Sequence, residues 1–526
     1  MMNIKNIALI LLFALSSATT CYAQTFLKYF AIDSVSTIAY SMVEKDSFLY
    51  VCGVVVDTAN AAAIKSFMAK FDNSGNMISN ATYRPPQYSD FYIVDQNGLI
   101  NTSDNGFAAT GFVIDTNGID SVCFTKFDSV GNLLYYKTYA PNIPNYMHTF
   151  GFRIVEYDSA YFILGDIQLA NYYVALMLIK LDLSGNLQFI KTYQNLPFLY
   201  GSGLASLCTL PDNKLLLTVS RSDENFNYWQ INYSTCFLEV DTAGNLIHQY
   251  CTTDSNTQTY YNLATTYDGN YLSCGSYYEL RSIDQPGEMD VKYLVKRDSS
   301  FNKIWSLKTG GIETENAFTD FEQTLDNSII LCGQNVADTG IDAGYHGVLS
   351  KVSKDGAIIW FREYAVPIPP GSNPNGLQNY LYDVDLLSNG DIVAVGSWYT
   401  SSNNSPLYFQ QVGWILRVDS NGCMEDGNCG LPTDIEGPQQ SNFTKTEPIR
   451  IFPNPGNGIF TVNSAVDLPG ATTIEVYDAL GRKLVTQLLI AHNSLINLYH
   501  LPCGIYFYRI GNGLVNVAEG KLVIQK

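Results

Sequence analysis

Charge is scarce in this chain. Only 15% of its 526 residues are Asp, Glu, Lys or Arg, against roughly a quarter in an ordinary soluble domain. Basic residues are the scarcer half: 30 Lys and Arg face 49 Asp and Glu, a formal net charge of −19. That balance excludes a nucleic-acid partner, because phosphates need a basic face to neutralise them. With five His in all, a His-based metal site has little to draw on. No Cys-x-x-Cys pair exists either, so no metal is expected. Gly-x-Ser-x-Gly, His-Glu-x-x-His and Gly-x-x-x-x-Gly-Lys are all missing, and with them the chemistries those spacings serve. No cofactor is implied. Beyond the N-terminal segment no apolar run reaches roughly 18 residues, so the mature chain should lack a transmembrane helix.

What is abundant points to a folded β protein. Aromatics make up 13%, with 37 Tyr and 27 Phe, beside 40 Gly. Disordered chains have few aromatics and dense charge. The length calls for two or more domains with a large core.

Internal repeats supply the architecture. Lys70–Asn76 (KFDNSGN) recurs as Lys126–Asn132, Lys180–Asn186 and Glu239–Asn245, and in divergent form at Lys296–Asn302, Lys351–Ala357 and Arg417–Cys423. The turn Gly, or Phe301 in its place, falls at 75, 131, 185, 244, 301, 356 and 422. Upstream of each lies an acidic or amide turn, then an apolar run usually ending in Gly, as in Asp268–Gly275 and Asp326–Gly333. Each period thus holds two hairpins and four strands. Seven such periods predict a seven-bladed β-propeller, similar to other bacterial propellers with long loops.

The ring has a way to close. The fourth strand of several repeats ends on Tyr83, Tyr139, Tyr193 or Tyr364, whereas the seventh repeat runs into the polar turn Cys423–Cys429. The segment Thr25–Phe30 looks like Phe189–Tyr193 and stands at a similar distance from its next Gly, with Tyr29 as the matching residue. It is expected to complete the last blade and remove two exposed sheet edges.

The N-terminus reads as a signal peptide, residues 1–23. Lys5 supplies positive charge, Ile7–Leu15 the apolar core, and Cys21-Tyr22-Ala23 a cleavage site before Gln24. Export implies an oxidising destination. Cys423 and Cys429, six apart around a turn, are the expected disulfide. Cys52, Cys274 and Cys332, each followed by Gly, read as small buried apolar residues. The repeated Asp turns read as aspartates capping their own backbone rather than calcium loops.

The last segment carries a set of motifs. Pro453-Asn454-Pro455 is followed by Gly458, by Asp478-Ala479-Leu480-Gly481-Arg482, by Leu501-Pro502-Cys503-Gly504 and by Gly520-Lys521 near the end. Short alternating strands between such turns suit a small β-sandwich. These motifs resemble, in order, the C-terminal sorting domain (type A) of type IX secretion cargo, with Phe452 where Tyr often stands. The resemblance implies an Ig-like fold, the type IX machinery as partner through residues 449–526, and delivery across the outer membrane to the surface or beyond. The expected domains are residues 1–23, a propeller over 24–430, a linker over 431–448 and the sorting domain over 449–526.

Function is sought on the long, unequal connections, since binding residues concentrate on loops held by a rigid scaffold. Trp229, Tyr277, Tyr278, Trp398 and Tyr399 are the candidate exposed aromatics, suited to stacking on sugar rings or anchoring a protein. The expectation is a non-catalytic surface-binding or adhesion protein that holds a glycan or surface protein. The alternative is a glycan-degrading hydrolase or lyase using dispersed acids such as Asp223, Glu224, Glu279 and Asp290.

Overall fold

This computed structural model describes residues 25–424 and 450–525, apart from 34, 58–62, 94–97, 144–145, 170–173, 194–204, 223–232, 253–257, 281–287, 310–316, 338–343, 366–376, 401–409, 455, 464–471, 479–481, 490–492, 503 and 512–515. The expected signal peptide and linker lie outside the described residues. The chain divides into two compact units, residues 1–436 and 437–526. Every regular element described in either is a β-strand.

The larger unit is a succession of antiparallel four-stranded meanders. The first sheet comprises Ser36–Lys45, Phe48–Asp57, Ala63–Phe71 and Met77–Tyr83. The pattern repeats through sheets that begin at Tyr88, where the first strand is split into Tyr88–Ile93 and Leu99–Asn101, and at Tyr146, Ala205, Gln258, Ala317 and Leu377. A short parallel pairing, Gly344↔Leu377 and Tyr345↔Gln378, joins the last two. The sequence dictates the turns. Asp72 Oδ1 accepts from the N–H groups of Ser74 (2.9 Å) and Asn76 (2.8 Å), and Gly75 takes φ 70°. Asp128, Asp182, Asp241, Asp298 and Asp419 cap their turns alike. Phe301 holds φ 65° where the others have Gly, a strain of order 1–3 kcal/mol. Its ring is 2% exposed and stacks on Tyr250 at 5.4 Å and Tyr271 at 5.1 Å, which offsets that cost.

Sheet packs on sheet in chain order. Tyr50 of the first sheet meets Phe107 of the second at 4.4 Å, and Phe124 of the second meets Tyr161 of the third at 5.0 Å. The tyrosines singled out in the repeats tie these layers together. Tyr139 Oη donates to the Gly185 carbonyl at 2.5 Å, Tyr193 to Gly244 at 3.0 Å and Tyr364 to Gly422 at 2.6 Å. Each bond runs from the fourth strand of one sheet to the turn of the next.

The last sheet also packs on the first. Val393, Val395 and Ile415 share one buried core with Ala39, Val51, Phe67 and Phe71. Strand Phe26–Phe30 pairs antiparallel with Gln410–Val418 and so supplies the outer strand of that last sheet. The matching residue is Phe30, not Tyr29. Phe30 pairs with Gly413 ahead of the Asp419 turn, as Tyr193 pairs with Leu176 ahead of Asp182. Successive side chains on a strand point to opposite faces. Phe30 is accordingly 8% exposed and Tyr29 64%.

The smaller unit has two antiparallel sheets around one core. Arg450–Phe452, Ile459–Asn463 and Asn493–Asn497 form one. Lys483–Leu488, Thr473–Tyr477, Gly504–Gly511 and Asn516–Ile524 form the other. Phe460, Val462, Ile474, Val476, Ile496 and Ile510 are buried between them.

Candidate functional site

The innermost strands share a defect. In Ser36–Lys45, Tyr146–Tyr157, Gln258–Thr265, Ala317–Gln323 and Leu377–Leu386 the register slips by one residue, just before Ser41, Arg153, Asn262, Asp320 and Asp383 respectively. Such a bulge re-aims the side chains that follow it. The neighbouring strand makes room with glycine. A Cβ on Gly53, Gly165, Gly333 or Gly396 would lie 1.7–2.1 Å from a carbonyl oxygen of the bulged strand. This is why the apolar runs end in Gly. Cys52, Cys274 and Cys332 stand opposite Ser41, Asn262 and Asp320. They are fully buried, and burial pushes their thiols well up.

The bulges turn a belt of polar groups toward one another. Ser206 Oγ donates to Asn262 Oδ1 at 3.5 Å, and Asn262 Nδ2 donates to Asp320 Oδ1. Asp320 Oδ2 accepts from Val384 N (3.0 Å) in the next sheet. Asp383 Oδ2 accepts from Ser41 Oγ (2.8 Å) and Met42 N (2.7 Å) across the joint between last and first sheets. Asp383 is raised well above the ordinary carboxylate range, by burial first and then by the charge of Asp320, to which it is hydrogen-bonded. The buried carboxylates thus serve neighbouring backbone amides. Asp385 does likewise, accepting from Glu44 N at 3.2 Å.

Beside this belt lies a cavity of about 350 Å³. Its polar lining is Arg153, Asn262, Thr265, Thr266, Tyr267, Glu322 and Gln323, over aliphatic Ile154 and Leu207 and the ring of Phe321. Arg153 is 3% exposed and Tyr267 67%. Glu322 lines the cavity and is itself exposed to solvent. Its carboxyl is pushed up to about 8, by desolvation first and then by Asp320 and Asp385. The exposure of Glu322 to solvent moderates that shift. Among the described residues no cluster of His, Cys, Asp and Glu is placed to hold a metal. No described helix is long and apolar enough to cross a membrane.

The aromatics expected on loops are elsewhere. Tyr277 and Trp398 lie within strands Tyr271–Leu280 and Ile392–Thr400, 7% and 6% exposed. They pack because these strands run farther than their turn signals suggest. Tyr277 contacts the Tyr293 ring at 5.3 Å and lies under Lys308 Nζ, while Trp398 joins the core between the last two sheets. Tyr399 is half-buried and meets Tyr380 edge-on at 5.9 Å. Tyr278 follows Tyr277 in the same strand, its side chain outside the described set, and Trp229 lies outside the described residues. So do Asp223 and Glu224.

Cys423 is disulfide-bonded, and its expected partner Cys429 lies outside the described residues. A second bridge, Cys236–Cys251, was not expected from the sequence. Its signal was the hairpin around Asp241–Asn245, whose register sets these two residues directly opposite.

In the smaller unit Asn454 Nδ2 donates to the Lys521 carbonyl at 2.6 Å, and its Oδ1 accepts from Val523 N at 2.8 Å. The motif asparagine thereby clamps the final strand. Gly458 takes φ 101° with Tyr499 against it, and Gly504 opens the strand Gly504–Gly511. Pro453 precedes the clamp, while Pro455 and Gly481 lie outside the described residues.

No curated protein matches the chain. Solved structures similar to it include a polysaccharide lyase of family PL25, an ulvan lyase bound to -[GlcA(1-4)Rha3S]-, at 7% identity and TM-score 0.46, covering 73% of this chain and 95% of that one. Another is the α-L-arabinofuranosidase Arb93A from Fusarium graminearum with an iminosugar inhibitor, at 10% identity and TM-score 0.38, covering 75% and 97%. A third is Penicillium chrysogenum α-L-arabinanase with arabinobiose, at 10% identity and TM-score 0.40, covering 75% and 98%. Likenesses this distant carry no argument about activity. Residues 450–525 match the family model described as "Secretion system C-terminal sorting domain". The tail is thus a type IX sorting domain, and the chain is exported cargo, at the cell surface or outside the cell.

Proposed function

We propose that this cargo is a non-catalytic extracellular binding or adhesion protein built on a closed seven-bladed β-propeller over residues 24–430. In the same reading residues 1–23 are a removed signal peptide, 431–448 a linker and 449–526 an Ig-like sorting domain. The shared core of the last and first sheets supports closure. The observation that carries the binding role is the fate of the central carboxylates. Asp320 and Asp383 are buried and engaged by backbone N–H groups of the next sheet. They therefore do not face each other across an open gap, as the acid and base of a glycosidase must.

One observation favours the alternative, a glycan hydrolase or lyase. Glu322 lines the cavity with its carboxyl raised, the state a general acid needs. It has no second open carboxylate beside it among the described lining residues. A glycan and surface-protein binding panel, read together with chromatography for products, separates the two. Retention of intact ligand supports a binder. Product formation that disappears in E322Q overturns it.

A further inference from the structure

We propose that Lys292 and Asn335 become joined by an isopeptide bond, an amide that ties the fifth sheet to the sixth, with Glu363 as the proton carrier.

Three strands bring the reacting groups together. Lys292 lies in Glu288–Arg297, the third strand of the sheet that begins at Gln258. Asn335 and Glu363 lie in Ile329–Ala337 and Ile358–Tyr364, the second and fourth strands of the sheet that begins at Ala317. Lys292 Nζ donates to Asn335 Oδ1 at 2.5 Å. A C=O bond is about 1.23 Å long, so the nitrogen stands within about 3.7 Å of the amide carbon, close to attack distance. Asn335 Nδ2 donates in turn to Glu363 Oε1 at 2.7 Å. His346, opposite Asn335 in the strand pair, has Nδ1 2.8 Å from Glu363 Oε2 and holds that carboxylate in place.

Burial makes the amine a nucleophile. Lys292 is fully buried, with its head 5.6 Å from the centre of the Phe361 ring. Desolvation pushes its ammonium down to about 7, the charge of Glu363 opposing, so free amine is present at neutral pH. Three other lysines make the same bond to an asparagine: Lys28 to Asn76, Lys137 to Asn186 and Lys191 to Asn245. Each of those asparagines also donates to a carboxylate. All three pairs are exposed, and water solvates the lysine head. They hold the same groups without the burial.

The reaction balances without a co-reactant. The neutral amine adds to Asn335 Cγ and an Nζ–Cγ bond forms. Glu363 takes a proton from Nζ and delivers it to Nδ2, the Cγ–Nδ2 bond breaks, and ammonia leaves. Nothing is oxidised or reduced. The product closes a covalent loop between residues 292 and 335, which constrains the unfolded chain as a disulfide does but resists reductant.

Peptide mapping of the full secreted chain by tandem mass spectrometry, after reduction, tests this. The expected result is one branched peptide containing Lys292 and Asn335, lighter than its two parts by one ammonia. A chain that starts at Gln24 also loses ammonia when that residue cyclises, so the branched peptide is the readout rather than the intact mass. E363Q, of the same shape, should fold, as judged by its thermal melt, and lower the yield of that peptide by about tenfold or more. N335A should give none. Separate Lys292 and Asn335 peptides in the parent overturn the proposal whether or not the variants fold. A branched peptide at Lys28, Lys137 or Lys191 in its place overturns the role of burial, and undiminished cross-linking in folded E363Q overturns the role of Glu363.

Discussion

Lys28 Nζ donates to Asn76 Oδ1 at 2.7 Å, the bond that Lys191 makes to Asn245 at 2.7 Å and Lys137 to Asn186 at 2.8 Å. The first strand therefore meets the first turn as the outer strand of one sheet meets the turn of the next. Phe26 lies on Gly75 as Phe189 lies on Gly244. The apolar part of this joint should dominate its energy. Phe30, 4.9 Å from Phe71 and 8% exposed, should cost about 3 kcal/mol when changed to Ala. K28A, which removes an exposed bond, should cost under about 1 kcal/mol. Urea midpoints of the two variants check the ranking; equal losses would contradict it.

Glycine serves two different purposes here, and substitution separates them. A Cβ on Gly396 would sit 1.7 Å from the Tyr380 carbonyl oxygen, whereas one on Gly390 meets nothing within 4 Å. G396A must displace a bulge and should cost more than about 3 kcal/mol, or abolish soluble expression. G390A pays only for its positive φ of 88°, about 1 kcal/mol. Thermal melts of the pair give the comparison.

Asp383 makes stability depend on pH. Its folded carboxyl is raised, so the fold binds this proton more tightly than the unfolded chain, whose Asp titrates near about 3.9. By linkage its contribution is full below that value and is lost as the pH rises through the folded value. D383N keeps a hydrogen-bonding group of the same shape without the charge. The variant should gain stability relative to the parent between pH 5 and pH 8, measured as unfolding free energy at each pH. Parallel curves would contradict the assignment.

The Cys236–Cys251 bridge closes a loop of 15 residues. Replacing both cysteines with alanine should lower stability by about 3 kcal/mol. Peptide mapping without reductant should recover the two strands linked. An unshifted urea midpoint would show that the bridge contributes nothing.

Delivery has its own test. A chain lacking residues 449–526 should accumulate in the periplasm, seen by fractionation and immunoblot. Normal release of that truncation would contradict the role of Asn454 and its neighbours.

Repeats and turns were legible because they rest on local chemistry. An Asp whose carboxylate caps its own turn leaves a residue pattern, and so does a Tyr reaching the next turn's carbonyl. The match of Tyr29 slipped by one because similarity of composition does not specify which face a strand presents; pairing with Gly413 does. Tyr277 and Trp398 were misjudged because strand length is set by pairing with neighbours, not by the turn residues alone. The central cavity left no pattern at all. Arg153, Asn262 and Glu322 are far apart in sequence and meet only because bulges on separate sheets aim inward. Even so, the glycine that each bulge requires stands in the sequence of most periods, at the end of the apolar run.

Closure of the larger unit by its own first strand is the claim on which the cavity and the binding role depend. Native-state hydrogen exchange on the intact protein tests it most directly, through the amides of Phe26–Phe30. The account predicts protection comparable to that of their partner strand Gln410–Val418, with both segments opening together. Exchange of Phe26–Phe30 at the rate of an unstructured peptide, while Gln410–Val418 stays protected, would contradict it.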